Sequence, residues 1–279
     1  MRVRELLRRE KDMGRTDLVA IMAFVLRTTR ERIYMHPERE VTEEALERID
    51  QHLSERKQGK PLSYITRAKE FFSEEFFVDE RVLIPRPETE LLVEEALRIM
   101  AQRQGDKSSL RILDMGTGSG IIGITLAKCG AATATCVDIS LDALLVARCN
   151  AARLGVQDRI GCIRSDLFAG IKAGTRFGII AANLPYVSLS EWHELMTDVK
   201  YEPGCALLGG PLGTEAYERF VANLPDHLSE DGSVLCELGG TRQIEAVGDL
   251  MKKQGLHVHS KKDLAGKDRI LIGSWKSLS

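Results

Sequence analysis

The 279-residue chain lacks long apolar runs, closely paired cysteines and any strong excess of charge, and each absence narrows what it can be. Its longest uninterrupted apolar stretch near the N-terminus, Leu18 to Leu26, falls far short of the roughly 20 residues needed to span a bilayer, so it reads as a buried helix. The opening MRVRELLRREKDMGR is basic but carries Glu5, Glu10 and Asp12, without an apolar core and small-residue cleavage site. No export or transit signal is read there, and a cytoplasmic protein is expected. Cys129, Cys136, Cys149, Cys162, Cys205 and Cys236 form no C-x-x-C pair, so reduced, mostly buried thiols are expected rather than a disulfide framework. His257 and His259 alternate as a strand would place them, but no carboxylate or thiol accompanies them at ligand spacing, and no metal is expected. A net charge of -2 argues against a strongly basic surface, so direct nucleic-acid binding is not expected. No repeat or low-complexity segment is visible, and the length suits one large domain plus a small one.

Residues 1–70 read as a helical domain. Asp17 is placed to cap a helix whose apolar positions Leu18, Ile21, Met22, Val25 and Leu26 recur at helical spacing. Thr42 is placed to cap a second, with Ala45, Leu46, Ile49 and Leu53 on its apolar face and Gly59 at its end. Residues 71–88 read as a linking element. FFSEEFFVDERVL predicts a β-hairpin, with the polar Asp79-Glu80-Arg81 cluster as its turn, and Ile84-Pro85-Arg86-Pro87-Glu88-Thr89-Glu90 fixes the backbone before an amphipathic helix. Residues 89–279 then alternate between helix and strand. Strand-like runs cover 111–116, 132–139, 159–166, 177–182, 233–239, 257–260 and 268–275, with Ser140 capping one helix and another over Thr214 to His227. This predicts an α/β, Rossmann-like, mostly parallel seven-stranded sheet, with the last two strands as an antiparallel pair at one edge.

Two motifs carry chemistry. Gly116-Thr117-Gly118-Ser119-Gly120 follows the first strand of the sheet and opens a helix, where a glycine backbone lets a ligand approach; Asp138 ends the next strand, where a carboxylate can accept from both hydroxyls of a ribose. Gly118, Gly120 and Gly123 also satisfy G-x-G-x-x-G, so these features alone fit a dinucleotide as well as S-adenosylmethionine. Asp166 and Leu167 stand where such sheets meet an adenine ring. They read equally well as an adenine contact or as a surface carboxylate capping the next segment beside a core leucine. The fourth strand separates the cofactors, because it ends in Asn183-Leu184-Pro185-Tyr186, for which a nicotinamide enzyme has no use. An amide or arylamine nitrogen is a poor nucleophile whose lone pair is delocalised, so binding has to activate it. The Asn183 side-chain oxygen and the Leu184 carbonyl can each accept one N–H, Pro185 keeps the segment rigid, and Tyr186 offers a flat face for stacking. Methyl transfer from a sulfonium to a planar nitrogen follows, with positioning supplying most of the rate.

The chain resembles the protein-glutamine N5-methyltransferases, in particular those that methylate the glutamine of the Gly-Gly-Gln motif in class I peptide chain release factors. The resemblance is carried by GKPLSYI (59–65), FFSEEFFVDERVLIPRPETELLVE (71–94), LDMGTGSG, VDIS, SDLF, NLPYV, YEPGCALLGGPLGTEAYERF (201–220) and DLAGKDRILIG (263–273). IPRPETE is its most diagnostic piece, separating this family from general adenine methyltransferases. It implies that Gly116 to Gly120, Asp138, Leu167 and Asn183 bind S-adenosylmethionine, that Asn183 to Tyr186 hold the glutamine, and that the helical domain helps to dock the release factor. A monomer acting on that protein substrate is expected. The family has a proline where this chain has Leu184, and a bulky or aromatic residue where it has Leu167. The change at Leu184 keeps open an adenine N6-methyltransferase acting on RNA or DNA, and a ribosomal-protein glutamine is a further alternative.

Overall fold

The computed structural model describes residues 1–9, 14–103, 110–130, 132–194 and 198–276. The chain divides into two compact units, Met1–Ala68 with Met196–Tyr201, and Lys69–Leu195 with Glu202–Ser279.

The first unit contains helices α1 (Val3–Arg9), α2 (Arg15–Val25), α3 (Arg30–Met35), α4 (Glu43–Lys57) and α5 (Leu62–Thr66). Leu18, Ile21 and Met22 of α2 meet Ile33, Ile49, Leu53 and Ile65 in one apolar core, the stripe that the helical spacing prescribes. α2 begins two residues before Asp17, with Gly14 at its N-cap and no side-chain cap. Asp17 instead lies in the first turn, where a negative charge suits the helix dipole, and it accepts from Arg56 Nε at 2.8 Å. Thr42 does cap α4: its Oγ1 accepts from Ala45 N at 3.3 Å, and Gly59 closes the helix at φ +98°. Thr42→Ala is expected to cost about 1 kcal/mol of stability, read as a lower midpoint in urea unfolding. The Tyr201 hydroxyl donates to Gln58 O at 3.1 Å, so a distant piece of sequence closes this unit.

The second unit opens with a hairpin of β1 (Ala68–Phe71) and β2 (Glu74–Phe77). Its turn is Phe72-Ser73, both at positive φ (52° and 60°), and not Asp79-Glu80-Arg81. Hairpin turns of that hand normally announce themselves by Asn-Gly or Asp-Gly; here two residues without that signature are held, and Phe72 N donates to Glu90 Oε1 at 2.9 Å. The Asp79 cluster is a separate bend, in which the Asp79 carboxylate takes the Arg81 guanidinium.

Helix α6 (Glu88–Gln102) leads into a sheet built from β3 (Arg111–Met115), β4 (Thr133–Asp138), β5 (Ile160–Arg164), β6 (Phe177–Ala182), β9 (Leu228–Glu237), β10 (His257–Lys262) and β11 (Asp268–Ser274). Between them run α7 (Ile121–Gly130), α8 (Leu141–Arg153), α11 (Glu215–His227) and α12 (Thr241–Lys253), while short β7 (Val187–Ser188) pairs with β8 (Leu208–Gly210). The seven strands run in the order β10-β11-β9-β6-β3-β4-β5. All neighbours are parallel except those of β11, so the reversed strand lies one place in from the edge that β10 occupies. Adjacent residues of β3 face opposite cores. Ile112 joins Leu92, Val93 and Ile124 on one side; Leu113 joins Phe220, Leu224 and Val247 on the other. β6, at the middle of the sheet, is buried at all six positions, as its unbroken apolar sequence requires.

All six cysteines are free thiols, but only Cys136 and Cys236 are buried, because Cys129, Cys149 and Cys205 lie on exposed positions of α7, α8 and the short helix α10 (Gly204–Leu207). Among the described residues no helix is long and apolar enough to cross a membrane.

Candidate active site

The chain passes from β3 to β4 and β5 on one side of the sheet, then returns to place β6 on the other side of β3, which opens a crevice at the strand ends. The register fixes what stands there. Met115 pairs with Val137 on one side and with Ala182 on the other, and Ala182 pairs with Cys236. The next residues, Gly116, Asp138, Asn183 and Glu237, therefore end four adjacent strands in one row. A cavity of about 400 Å³ opens there, lined by Gly116 to Ser119, Asp138, Asp166, Leu167 and Asn183 to Pro185, with Pro85, Arg86 and Thr89 from the proline-bracketed segment.

On the glycine side, the turn is held from beneath. Asp114, wholly buried, accepts from the Thr117 hydroxyl at 2.6 Å and from Gly123 N at 2.8 Å; burial pushes its pKa up to about 6 against those two donors. Thr117 thus spends its side chain on the scaffold and offers the cavity only backbone. Gly123 serves packing, since a Cβ there would come within 2.8 Å of Cys136 Sγ. Gly118 differs: it sits at φ +54° with open space where a Cβ would stand, and its N–H donates to Asp138 Oδ2 at 2.9 Å. Asp138 Oδ1 accepts from Ser140 N at 2.9 Å. Burial raises the pKa of Asp138, while the N–H groups of Ser140, Gly118 and Ile139 oppose that shift. Each carboxylate oxygen keeps a second lone pair for a ligand hydroxyl. Asn150, fully buried, donates to Ser119 O and clasps both backbone groups of Phe77, tying the hairpin to the glycine turn.

Asp166 does not cap the short turn that follows it; its Oδ2 takes Arg219 Nη2 at 2.7 Å on the exposed rim. Leu167 lines the cavity at φ +50°, a left-handed conformation costly for a branched side chain, so the surrounding packing imposes it.

On the tetrapeptide side, Asn183 Nδ2 donates to Thr89 Oγ1 at 3.4 Å, which leaves Oδ1 as its free acceptor. Leu184, only 4% exposed, packs its side chain over Gly116, 3.0 Å from where a Cβ on that glycine would stand. Unlike a proline, Leu184 has an N–H to satisfy, and it donates to the Tyr217 hydroxyl at 3.0 Å. That hydroxyl donates onward to Glu237 O at 2.5 Å. Tyr186 is not among the residues that line the cavity. Its ring lies against Gly239, its hydroxyl reaches Glu237 Oε1 at 3.5 Å, and its carbonyl accepts from Gln243 Nε2 at 2.7 Å. Gly209 backs the same segment, because a Cβ there would meet Pro185 O at 2.4 Å.

The role of IPRPETE is now visible in its contacts. Buried Glu202, in YEPG, accepts from Ile84 N at 2.9 Å and pairs with Arg86, so two distant segments are joined at the cavity. Thr89, from the same run, meets Asn183. Sequence reasoning missed Thr89, Glu202, Tyr217 and Glu237 as site residues; the available signal was two acids and a tyrosine placed inside apolar or proline-rich contexts.

Comparison with known proteins bears on the same features. The PrmC N-terminal domain model matches residues 2–66, and the ribosomal protein L11 methyltransferase model matches residues 92–219. A release factor glutamine methyltransferase of Rhodopirellula baltica is 42% identical over 221 residues, covering 77% of this chain and 74% of the relative. The one from Koribacter versatilis is 36% identical over 255 residues, covering 91% and 88%. The chain belongs to the release factor glutamine methyltransferase family. Its members are methyltransferases, which gives the row of strand ends its chemistry. Solved structures agree on the fold: a ribosomal protein L11 methylase from Lactobacillus delbrueckii subsp. bulgaricus has a TM-score of 0.53 at 22% identity over 75% of this chain and 90% of that one. The hMettl16 catalytic domain, solved with an RNA hairpin, has a TM-score of 0.61 at 13% identity over 79% and 84%.

Proposed function

We propose that this protein methylates the side-chain amide nitrogen, N5, of the glutamine in the Gly-Gly-Gln motif of class I peptide chain release factors, using S-adenosylmethionine. The observation that carries the reading is Asn183, whose amide is anchored through Nδ2 so that its oxygen is left for a substrate N–H, in the same cavity as Gly118 and Asp138. The cavity fits the cofactor. Gly118 has no side chain where a ligand backbone must pass, the Asp138 carboxylate has lone pairs for two hydroxyls, and Leu167 offers an apolar surface. When bound, S-adenosylmethionine supplies an electrophilic methyl on a positive sulfur.

The protein's own residues do the rest. Asn183 Oδ1 and the Leu184 carbonyl each accept one hydrogen of the substrate NH2, which turns its remaining electron density along the line of displacement. Pro185 holds that pair rigid. No strong base is needed at the nitrogen in the transition state, because positive charge leaves the sulfur as it arrives on the nitrogen. The methylated nitrogen then releases one of its two protons to solvent, leaving the neutral N-methyl amide and the neutral thioether. Tyr186 supports the segment from outside the cavity, with its ring against Gly239 and its hydroxyl toward Glu237. Residues 1–70 dock the release factor, residues 71–88 join them to the methyl-transfer domain, 89–279, and the reaction belongs to the cytoplasm, where this monomeric enzyme meets its substrate.

The deciding experiment incubates the protein with a class I release factor and methyl-labelled cofactor, then maps the label by mass spectrometry. One methyl on the Gly-Gly-Gln glutamine is expected. Label on a ribosomal protein or on RNA, with none on the release factor, would overturn the reading.

A further inference from the structure

Glu237 is the one member of the strand-end row without an evident task. It closes β9, is 1% exposed, and stands beside Asn183 because Cys236 pairs with Ala182. Its Oε1 meets the Tyr186 hydroxyl only at 3.5 Å, and its Oε2 has no partner in full hydrogen-bond geometry among the described residues. A buried carboxylate so thinly satisfied is costly, and an apolar residue would serve the strand better. Thr89, wholly buried, is the side chain shared between this carboxylate and the substrate-facing amide: its hydroxyl accepts from Asn183 Nδ2 at 3.4 Å and lies near enough to Glu237 to lower its pKa.

We infer that Glu237 is a positioning residue that works through the Thr89 hydroxyl to set which end of the Asn183 amide faces the acceptor nitrogen. The inference rests on the function proposed above. A threonine hydroxyl has one hydrogen to give. When Glu237 is ionised it can only accept, so Thr89 gives its hydrogen to Glu237 and turns a lone pair toward Asn183. Asn183 must then present Nδ2 to Thr89 and Oδ1 to the cavity, the polarity that a substrate NH2 needs. When Glu237 is protonated it donates to Thr89, whose hydrogen becomes free for Asn183 Oδ1. The amide turns over, and two NH2 groups face each other across the site.

The surroundings put this switch in a usable range. Burial and Glu88 of α6 raise the pKa of Glu237, while Thr89, Arg269 of β11 and the Tyr186 hydroxyl lower it, leaving it at about 7. The folded protein therefore holds a proton here that the unfolded chain releases at its ordinary value of 4.5, so stability is lost as pH rises through that window. The competent form is the ionised one, so activity rises over the same range. The carboxylate is retained at a cost to stability, as expected of a functional group and not of a structural one.

The test compares wild type with Glu237→Gln, Thr89→Val and Thr89→Ser between about pH 5.5 and 8.5, where a group of this pKa changes state. For wild type, kcat on the release factor should climb with pH through an apparent pKa near that of Glu237. E237Q, which can donate to Thr89 at every pH, should be about tenfold slower or more, flat with pH, no less stable at high pH, and unchanged in cofactor affinity. T89S keeps the hydroxyl and should keep the pH profile; T89V should lose it. A readout without substrate separates this inference from the function: the Asn183 side-chain NH2 resonances of the protein alone should titrate in wild type and not in E237Q. Failure of wild type to methylate a release factor would sink the function while that titration still decides the switch. Wild-type kcat and pH profile in E237Q, or an Asn183 amide insensitive to pH, would overturn the inference.

Discussion

Asn183→Ala is expected to lower kcat on the release factor by about two to three orders of magnitude, the usual loss when one preorganised partner of the reacting group is removed. The substrate nitrogen is not activated by a base, so its reactivity depends on having both hydrogens held while its lone-pair density is aimed at the methyl. Without the side-chain oxygen, one hydrogen is free and the amide rotates. Cofactor affinity should change much less, because Gly118, in the turn after β3, and Asp138, at the end of β4, are held by their own hydrogen bonds. Asn183→Gln sharpens the test. It keeps the amide but adds a methylene, displacing the acceptor by about 1 Å or more, and a misplacement of that size costs about 100-fold. Single-turnover methylation with saturating release factor, alongside calorimetric titration of the cofactor, separates the two effects. An Asn183→Ala enzyme with near-normal kcat would show that the amide is held by something else.

The legible parts of this protein were those whose chemistry is local. Seven strands could be read because short apolar runs were punctuated by glycines, and the glycine turn, Asp138 and Asn183 could be read because each ends such a run. The hairpin turn could not, since Phe72-Ser73 has neither glycine nor asparagine and owes its positive φ to tertiary support. Nor could the order of the strands, which comes from where the crossovers go. That order makes Glu237 a neighbour of Asn183, 54 residues away in sequence but one strand over in the sheet. Thr89 stood within a segment recognised as diagnostic, yet its spacing gave no hint that the hydroxyl meets Asn183. The exposed cysteines were misjudged for a related reason: apolar sequence surroundings do not show which face of a helix a residue occupies.

Tyr217→Phe is expected to remove roughly 2–4 kcal/mol of stability and to slow methylation, although Tyr217 does not line the cavity. Its hydroxyl, 0% exposed, is the only listener the Leu184 N–H has in the hydrogen bonds described, and it also donates to Glu237 O. Phenylalanine preserves the packing against Phe220 but leaves a buried N–H and a buried carbonyl short of a partner. The backbone that presents the Asn183 and Leu184 acceptors then has one anchor fewer. The residue at 184 decides how much of this loss is felt. Proline, the family's usual residue there, has no N–H, so Leu184→Pro removes the donor that Tyr217 answers and should cost little beyond the space left over Gly116. In the Leu184→Pro background, Tyr217→Phe should therefore cost about 1 kcal/mol or more less than in the native chain, and a double-mutant cycle on urea unfolding measures that difference. Equal cost in both backgrounds would mean that the Leu184 N–H is not what Tyr217 serves. The expected coupling instead explains how this chain carries leucine in the tetrapeptide: a leucine is admissible where a buried hydroxyl on the facing helix takes up the N–H that a proline would lack.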